Sequence, residues 1–200
     1  MPRRYVLAKR ADEMAATRDR IVGAAMRLYR DRGFAAATVP AIAREADVAP
    51  ATVRNHFPDH AELASAVAAA ILVEMRVPGP EVFDGLESIA ARITRLASEV
   101  AAFMVRSEAW WPVYTGDPGL REVWAGEEAS YERRQEALVR AALGPLADDE
   151  AAVAIASVGV GPQLFYALRA RGLSPEASVD VASSLVVPWL EARLASRGSG

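Results

Sequence analysis

Two prolines place the tightest limits on how the N-terminal third of this chain can fold. Proline is tolerated in the first turn of a helix, but in a helix interior it removes a backbone hydrogen bond and clashes with the preceding turn. Pro50 therefore suits the start of a short helix at about 50–57, which Pro58 closes. Asp59 then suits the N-cap of the next helix. The pattern predicts a corner between two helices.

The rest of the chain also has a helical pattern. Ala, Leu, Arg and Glu dominate, and strand-like alternation is absent, so an all-α fold is expected. Pro162 and Pro188 fall inside the last two predicted helices, and each of these is expected to kink or split there. The predicted helices lie at about 17–32, 39–46, 50–57, 59–76, 84–107, 117–142, 147–171 and 174–196.

The segment VPGPEVFDG is the clearest linker. We therefore expect a basic N-terminal arm at 1–13, one helical domain at 14–76 and a second helical domain at 81–200. Residues 1–60 hold 11 Lys and Arg against 7 Asp and Glu, while the remainder holds 12 against 19. This asymmetry indicates that only the N-terminal region meets a polyanion. The arm's basic residues could enter a DNA minor groove or form a solvated tail.

Several classes of protein are not expected from the composition. There is no cysteine, which excludes disulfides and thiolate metal sites. No apolar run approaches the roughly 18–20 residues of a membrane span, and no signal peptide is evident, so a cytoplasmic protein is expected. No nucleophile–base pair, carboxylate dyad or metal cluster stands out, and an enzyme is not expected.

No cofactor is expected either. The segment GVGPQL at 159–164 has two of the glycines of a dinucleotide-binding loop, but it lacks the third glycine and a preceding strand. A helix bend at a packed contact explains it better.

The predicted helices at 39–46 and 50–57 are joined by a tight turn, which is the pattern of a helix-turn-helix. In that motif the second helix enters the DNA major groove. Ala43 and Ala46 are small where the two helices would cross, and Val53 would anchor the second helix.

Residues 17–63 resemble, without a gap, the N-terminal domain of the tetracycline-repressor (TetR) family. The resemblance implies a homodimeric transcriptional regulator, most often a repressor, that binds a palindromic operator and is released by a small molecule. It also implies that residues 14–76 form the DNA-binding domain, with its motif at 38–57, and that residues 81–200 form an effector-binding and dimerisation domain. A helix-turn-helix protein without a small ligand is the alternative. The matching positions are Arg18, Ile21, Ala24, Ala25, Leu28, Gly33, Phe34, Thr38, Ile42, Ala43, Ala46, Val48, Thr52, His56, Phe57 and Leu63.

Four positions depart from the family pattern. Asp47 stands where the family has its turn glycine, and Ala49 replaces the usual serine cap of the recognition helix. Arg54 replaces a frequent tyrosine, and His60 replaces a lysine. These positions bear on DNA contacts more than on the fold.

The helix-turn-helix also indicates which residues meet DNA. Arg54 and Asn55 suit guanine and adenine edges, or they touch phosphates instead. His56 and His60 lie four positions apart and could form half of a metal site. A metal site needs further ligands, which the sequence does not offer nearby, so no metal is expected. The residues expected at the DNA are Thr38, Ala49, Pro50, Ala51, Thr52, Arg54, Asn55, His56 and His60.

Aromatic residues concentrate in the second domain. Six of the chain's 14 fall within residues 103–131. Such a cluster is typical either of a packed core or of an apolar ligand cavity with aromatic walls. The candidate lining of a site for a small apolar or aromatic effector is Phe103, Trp110, Trp111, Tyr114, Trp124, Tyr131, Phe165 and Tyr166.

The last two helices each carry one apolar stripe. In the TetR family the corresponding helices pair across a twofold axis into a four-helix bundle, and the resemblance implies the same here; packing within one chain is the alternative. The candidate dimer-interface residues are Ala152, Ala156, Val160, Val179, Ser183, Val186 and Leu190.

Overall fold

The computed structural model describes residues 2–197, with side chains from Lys9 onward. Within that range every regular element is helical, so the fold is all-α, as the sequence predicts. The helices are α1 (Pro2–Arg32), α2 (Val39–Glu45), α3 (Pro50–His56), α4 (His60–Glu74), α5 (Ile89–Ser107), α6 (Trp111–Gly116), α7 (Pro118–Leu143), α8 (Glu150–Gly159), α9 (Pro162–Arg169) and α10 (Pro175–Arg197).

Helix α1 begins at Pro2, well before its predicted start. The residues added at its N-terminus are mostly good helix formers, so the helix extends although the side chains described there are exposed. Lys9 and Glu13 face each other one turn apart at 3.9 Å. The segment expected as an arm therefore continues α1, and the side chains of Arg3 and Arg4 lie outside the described residues.

The chain divides into two compact units. The first comprises Met1–Glu74 and Ala109–Glu128, and the second comprises Met75–Glu108 and Ala129–Gly200. The second unit thus differs from the domain expected at 81–200, because α6 and the first part of α7 pack with the N-terminal helices.

In the first unit, α1 packs against α2 and α4. Their facing sides are lined by fully buried aliphatic residues, among them Ile21, Ile42 and Leu63. The later segment adds two large indoles to this unit. Trp110 and Trp124 are only 4% and 8% exposed. Burial of such large side chains removes much apolar surface from water, which accounts for the return of this segment to the first unit.

Each indole has a specific partner in the first unit. The Trp124 Nε1–H donates to the carbonyl of Ala64 in α4 at 2.9 Å. The Arg30 guanidinium of α1 lies 6.0 Å from the centre of the Trp110 ring, at the outer limit of a cation–π contact. These contacts attach residues 109–128 to the helices of the DNA-binding region.

Tyr29 is fully buried in α1, with its ring edge-on to Phe34 at 5.2 Å. Its hydroxyl has no hydrogen-bond partner among the described residues, and burial raises the pKa of this phenol above its usual range. We expect Tyr29→Phe to raise the free energy of unfolding by about 1 kcal/mol, because the variant no longer buries an unsatisfied hydroxyl. Urea denaturation would measure the change. A loss of stability instead would indicate that a buried water satisfies this hydroxyl.

In the second unit, α5 packs along α10, α8 packs on α10, and α9 packs on α5. The buried Asp149 caps α8 by accepting hydrogen bonds from the backbone N–H groups of Ala151 and Ala152. The same carboxylate pairs with Arg193 at 2.8 Å and with Arg197 at 3.3 Å. Hydrogen bonding and charge from Arg193 lower the pKa of Asp149. This contact holds the start of α8 to the end of α10.

The two prolines of this unit behave differently. Pro162 begins α9 after a bend at Val160 and Gly161, and a Cβ at Gly159 would overlap the Val186 side chain. The glycine-rich segment is therefore a bend at a packed contact, as the sequence predicts. Of the predicted kink or split at Pro188, the split does not occur, because α10 runs continuously from Pro175 to Arg197.

One segment, Glu150–Arg169, has the length and apolar composition of a membrane span. The bend between α8 and α9 lies within it, and about a third of its apolar window is buried inside the fold. A core segment of a globular protein meets the same criteria, so this observation is weak evidence for a membrane.

Candidate functional site

The helix-turn-helix is formed by α2, a tight turn and α3. Thr38 caps α2, with its Oγ1 accepting from the Ala41 N–H at 3.4 Å. Ala43 is buried where α2 crosses α3, and Val53 is buried as the anchor of α3. The Val48 N–H donates to the Ala43 carbonyl at 3.0 Å, which closes the turn. These contacts position α3 as the recognition helix.

Arg18 of α1 positions the far end of α3, a role that sequence reasoning missed. Its guanidinium carbon lies 4.1 Å from the centre of the Phe57 ring, and Nη1 donates to the His56 carbonyl at 3.1 Å. The carbonyls of a last helical turn lack intrahelical partners, so this bond satisfies one of them. Arg18 and His56 are 38 positions apart in sequence, so no local sequence pattern predicts their contact.

The residues expected at DNA lie on the outer side of the motif. The side chains of Arg54 and Asn55 are exposed on α3, while Thr52 and His56 are half-buried. Ala49, Pro50 and Ala51 are exposed at the N-terminal end of α3, with no side-chain cap from Ala49. A helix end bearing only small side chains allows close approach of its backbone to a phosphate.

Thr38 and His60 are exposed beside this helix. The His60 ring lies 4.8 Å from the Phe34 ring, and its Nε2 lies 3.4 Å from the Ala37 carbonyl. One ring nitrogen of His60 is thus directed into the fold. No group of three or more His, Asp or Glu side chains able to hold a metal occurs in the described part of the chain.

Asp47 occupies the turn in the left-handed region, with φ of 53°. We expect Asp47→Gly to raise the free energy of unfolding by about 0.5–1 kcal/mol, since glycine relieves the steric cost of this conformation but loses more backbone entropy on folding. Asp47→Asn is the matched control, because asparagine removes the charge while tolerating the same geometry. Thermal unfolding would compare them. If asparagine stabilises the protein as much as glycine, the carboxylate charge and not the backbone is responsible.

The predicted aromatic cluster is divided between the two units. In the second unit the rings of Phe103 and Tyr131 stack at 5.5 Å with an interplanar angle of 21°. Phe165 is fully buried, and Tyr166 is hydrogen bonded to Ser107. Trp110, Trp111, Tyr114 and Trp124 belong instead to the first unit.

The candidate interface residues, which lie on α8, at its C-cap and on α10, face largely inward. Val179 and Ser183 are half-buried, and the Ser183 Oγ has no hydrogen-bond partner in the described part of the chain. The others are buried in the core of a single chain: Ala152, Ala156, Val160, Val186 and Leu190. Within the second unit, these five therefore stabilise the packing of α8 on α10.

The same two helices also carry exposed apolar side chains outside this buried stripe. Ile155 and Val158 on α8 are 41% and 69% exposed, and Leu185 and Trp189 on α10 are 63% and 39% exposed. Residues three and four apart share a helix face. Large apolar side chains concentrated on one face are typical of an interaction surface.

Comparison with known proteins agrees with this geometry. Residues 21–67 match the family model described as bacterial regulatory proteins, tetR family. No curated protein matches the chain. The matched residues extend from the buried Ile21 of α1 through the helix-turn-helix to the buried Val67 of α4. The N-terminal domain of the chain is therefore that of the tetR family of DNA-binding transcriptional regulators.

Proposed function

We propose that the protein is a repressor that binds a palindromic operator as a homodimer and is released by a small apolar or aromatic effector. The observation that carries this proposal is the exposed apolar face of α8 and α10, in a unit separate from the helix-turn-helix. A twofold axis through that face would make an isologous interface, in which both chains contribute the same surface. The protein would act in the bacterial cytoplasm, where its operator lies.

The recognition helix supplies both classes of DNA contact in this proposal. Arg54 and Asn55 have the side chains that best match guanine and adenine edges in the major groove. Thr52 and His56 would contact phosphates, as would Thr38 and His60 beside them. Phosphate contacts fix the position of the protein on the duplex but carry no sequence information.

The effector would act by shifting the equilibrium between two arrangements of the dimer. Recognition helices of a dimer must lie about 34 Å apart, one turn of DNA, to reach successive major grooves. A ligand that binds better to a second arrangement lowers DNA affinity by the ratio of its two affinities.

Selection of bound DNA from a random pool tests this function directly. We expect the recovered sites to be palindromes with half-site centres one helical turn, or a multiple of it, apart. Single, non-repeated sites bound at full affinity would contradict the homodimer. An operator complex that no aromatic or apolar compound dissociates would favour the alternative, a DNA-binding protein without a small ligand.

A further inference from the structure

The first half of helix α1 extends beyond the core of the first unit. Every side chain from Lys9 to Ala16 is exposed, whereas Ile21 farther along the same helix is fully buried. Most helical stability in proteins comes from the packing of a buried face, so an exposed helix of this kind is marginal on its own in water. The projecting segment, residues 9–16, thus leaves its whole circumference accessible to a partner.

The charge at this end of α1 is complementary to a polyanion. Residues 1–10 hold four basic residues and no acidic residue. Arg10 forms no ion pair or hydrogen bond with the described residues, and Lys9 meets Glu13 at 3.9 Å with both side chains well exposed. Asp12 follows Arg10 by two positions, which turns an α-helix by about 200° and places the carboxylate on nearly the opposite side. The Arg10 guanidinium is therefore available to a phosphate.

The side of α1 that carries Arg10 continues to the recognition helix. Arg10, Met14 and Arg18 follow one another at intervals of four, which places them on one stripe of the helix. Arg18 donates to the His56 carbonyl and lies over the Phe57 ring, at the end of α3. At 1.5 Å per residue, Arg10 lies about 12 Å along α1 from Arg18. That distance is comparable with the width of the major groove, about 12 Å, so DNA held by α3 would pass close to Arg10.

We propose that the projecting segment of α1 contacts the DNA phosphate backbone beside the bases that α3 reads, through Lys9 and Arg10. An extended arm can enter a minor groove, but α1 is helical from Pro2 onward. An α-helix with its side chains is about 10–12 Å across, whereas the minor groove is about 6 Å wide. The helix therefore stays outside the groove and adds affinity that is sensitive to salt but not to sequence. This assignment rests on DNA binding by α3.

The test measures DNA affinity over a series of salt concentrations, for the full-length protein and for a double variant, Lys9→Gln with Arg10→Gln. The probes are two duplexes of equal length and unrelated sequence, one A·T-rich and one G·C-rich. Glutamine keeps a high helix propensity, and circular dichroism checks the helicity. On both duplexes we expect the slope of log affinity against log salt concentration to become shallower by about 2 for each bound chain, about 1 for each lost phosphate contact.

A second double variant, Arg133→Gln with Arg134→Gln, is the matched control. It also removes two adjacent exposed charges from a helix, but from the part of α7 that belongs to the second unit. The slope should stay nearly unchanged in this control. An equal change in both double variants would assign the effect to net charge and overturn the contact by α1.

Ala11→Pro tests whether the helix itself is needed, because it keeps every charge but interrupts α1 between the basic residues and the core. It should weaken binding to both duplexes. Full affinity in Ala11→Pro, with a preference for the A·T-rich duplex that the Lys9 and Arg10 variant loses, would overturn the proposal in favour of an extended arm in the minor groove.

The remaining outcomes separate this contact from DNA binding by α3. If the unaltered protein binds both duplexes and the Lys9 and Arg10 variant keeps the same slope, the contact by α1 is overturned and DNA binding by α3 stands. If the unaltered protein binds neither duplex at low salt, DNA binding and the contact by α1 are both contradicted.

Discussion

Replacing Leu185 and Trp189 together by glutamate is expected to give a folded monomer with operator affinity reduced by a factor on the order of 10² or more. Both side chains are exposed on the outer face of α10, so the substitution leaves the core of one chain intact. It places four negative charges in the proposed interface, where they lack partners. The affinity falls because one recognition helix alone binds only one half-site.

Sedimentation equilibrium and operator titration would measure the two effects, with helicity as a check on the fold. Val105→Glu is the matched control, since Val105 is an exposed apolar residue of the same unit on α5. Leu190→Glu is the contrasting variant, because Leu190 is fully buried and an unpaired charge there should unfold the second unit. If the double variant of Leu185 and Trp189 stays dimeric, the dimer interface is formed by another surface.

Removing the Arg54 side chain is expected to cost about 1–3 kcal/mol of operator binding, concentrated at one base-pair position. The guanidinium is exposed on α3 and can form two parallel hydrogen bonds to a guanine edge. Titration of Arg54→Ala against operators altered one base pair at a time would locate the loss. His56→Ala should instead weaken all of these operators similarly, because a phosphate contact carries no sequence information.

Arg54→Lys separates the two roles that Arg54 could have. Lysine keeps the positive charge but lacks the planar fork of the guanidinium. If Arg54 reads guanine, Arg54→Lys should lose most of the discrimination at that base pair. Full recovery of affinity by lysine, with unchanged sequence preference, would assign Arg54 to a phosphate.

Local sequence signals were sufficient to predict where the helices and the turn of the DNA-binding region lie. Thr38 and Pro50 start α2 and α3 where capping and proline geometry predict, and Gly33 ends α1 with φ of 81°. The turn has the left-handed Asp47 that its family position implies. Each of these helix ends and the turn depends on the backbone preference of one residue or its near neighbours. They can therefore be predicted without knowledge of distant contacts.

Local sequence signals do not predict the long-range contacts that hold this region together. Arg18 reaches the end of α3, and Trp124 bonds to Ala64 across 60 positions of the chain. An aromatic residue has the same local preference whichever core it joins. The sequence pattern therefore grouped eight aromatic residues, whereas the packing of the chain places four of them in each unit.

The sequence by itself determined that α8 and α10 are apolar helices, because helical periodicity depends only on residue type and spacing. Only the tertiary structure decided which side faces the core. Both helices have apolar residues on two sides, and Gly159 allows close packing against Val186, which turns Leu185 and Trp189 outward. Periodicity specifies apolar positions but not their partners, and it is packing against α5 and between these helices that selects the buried set.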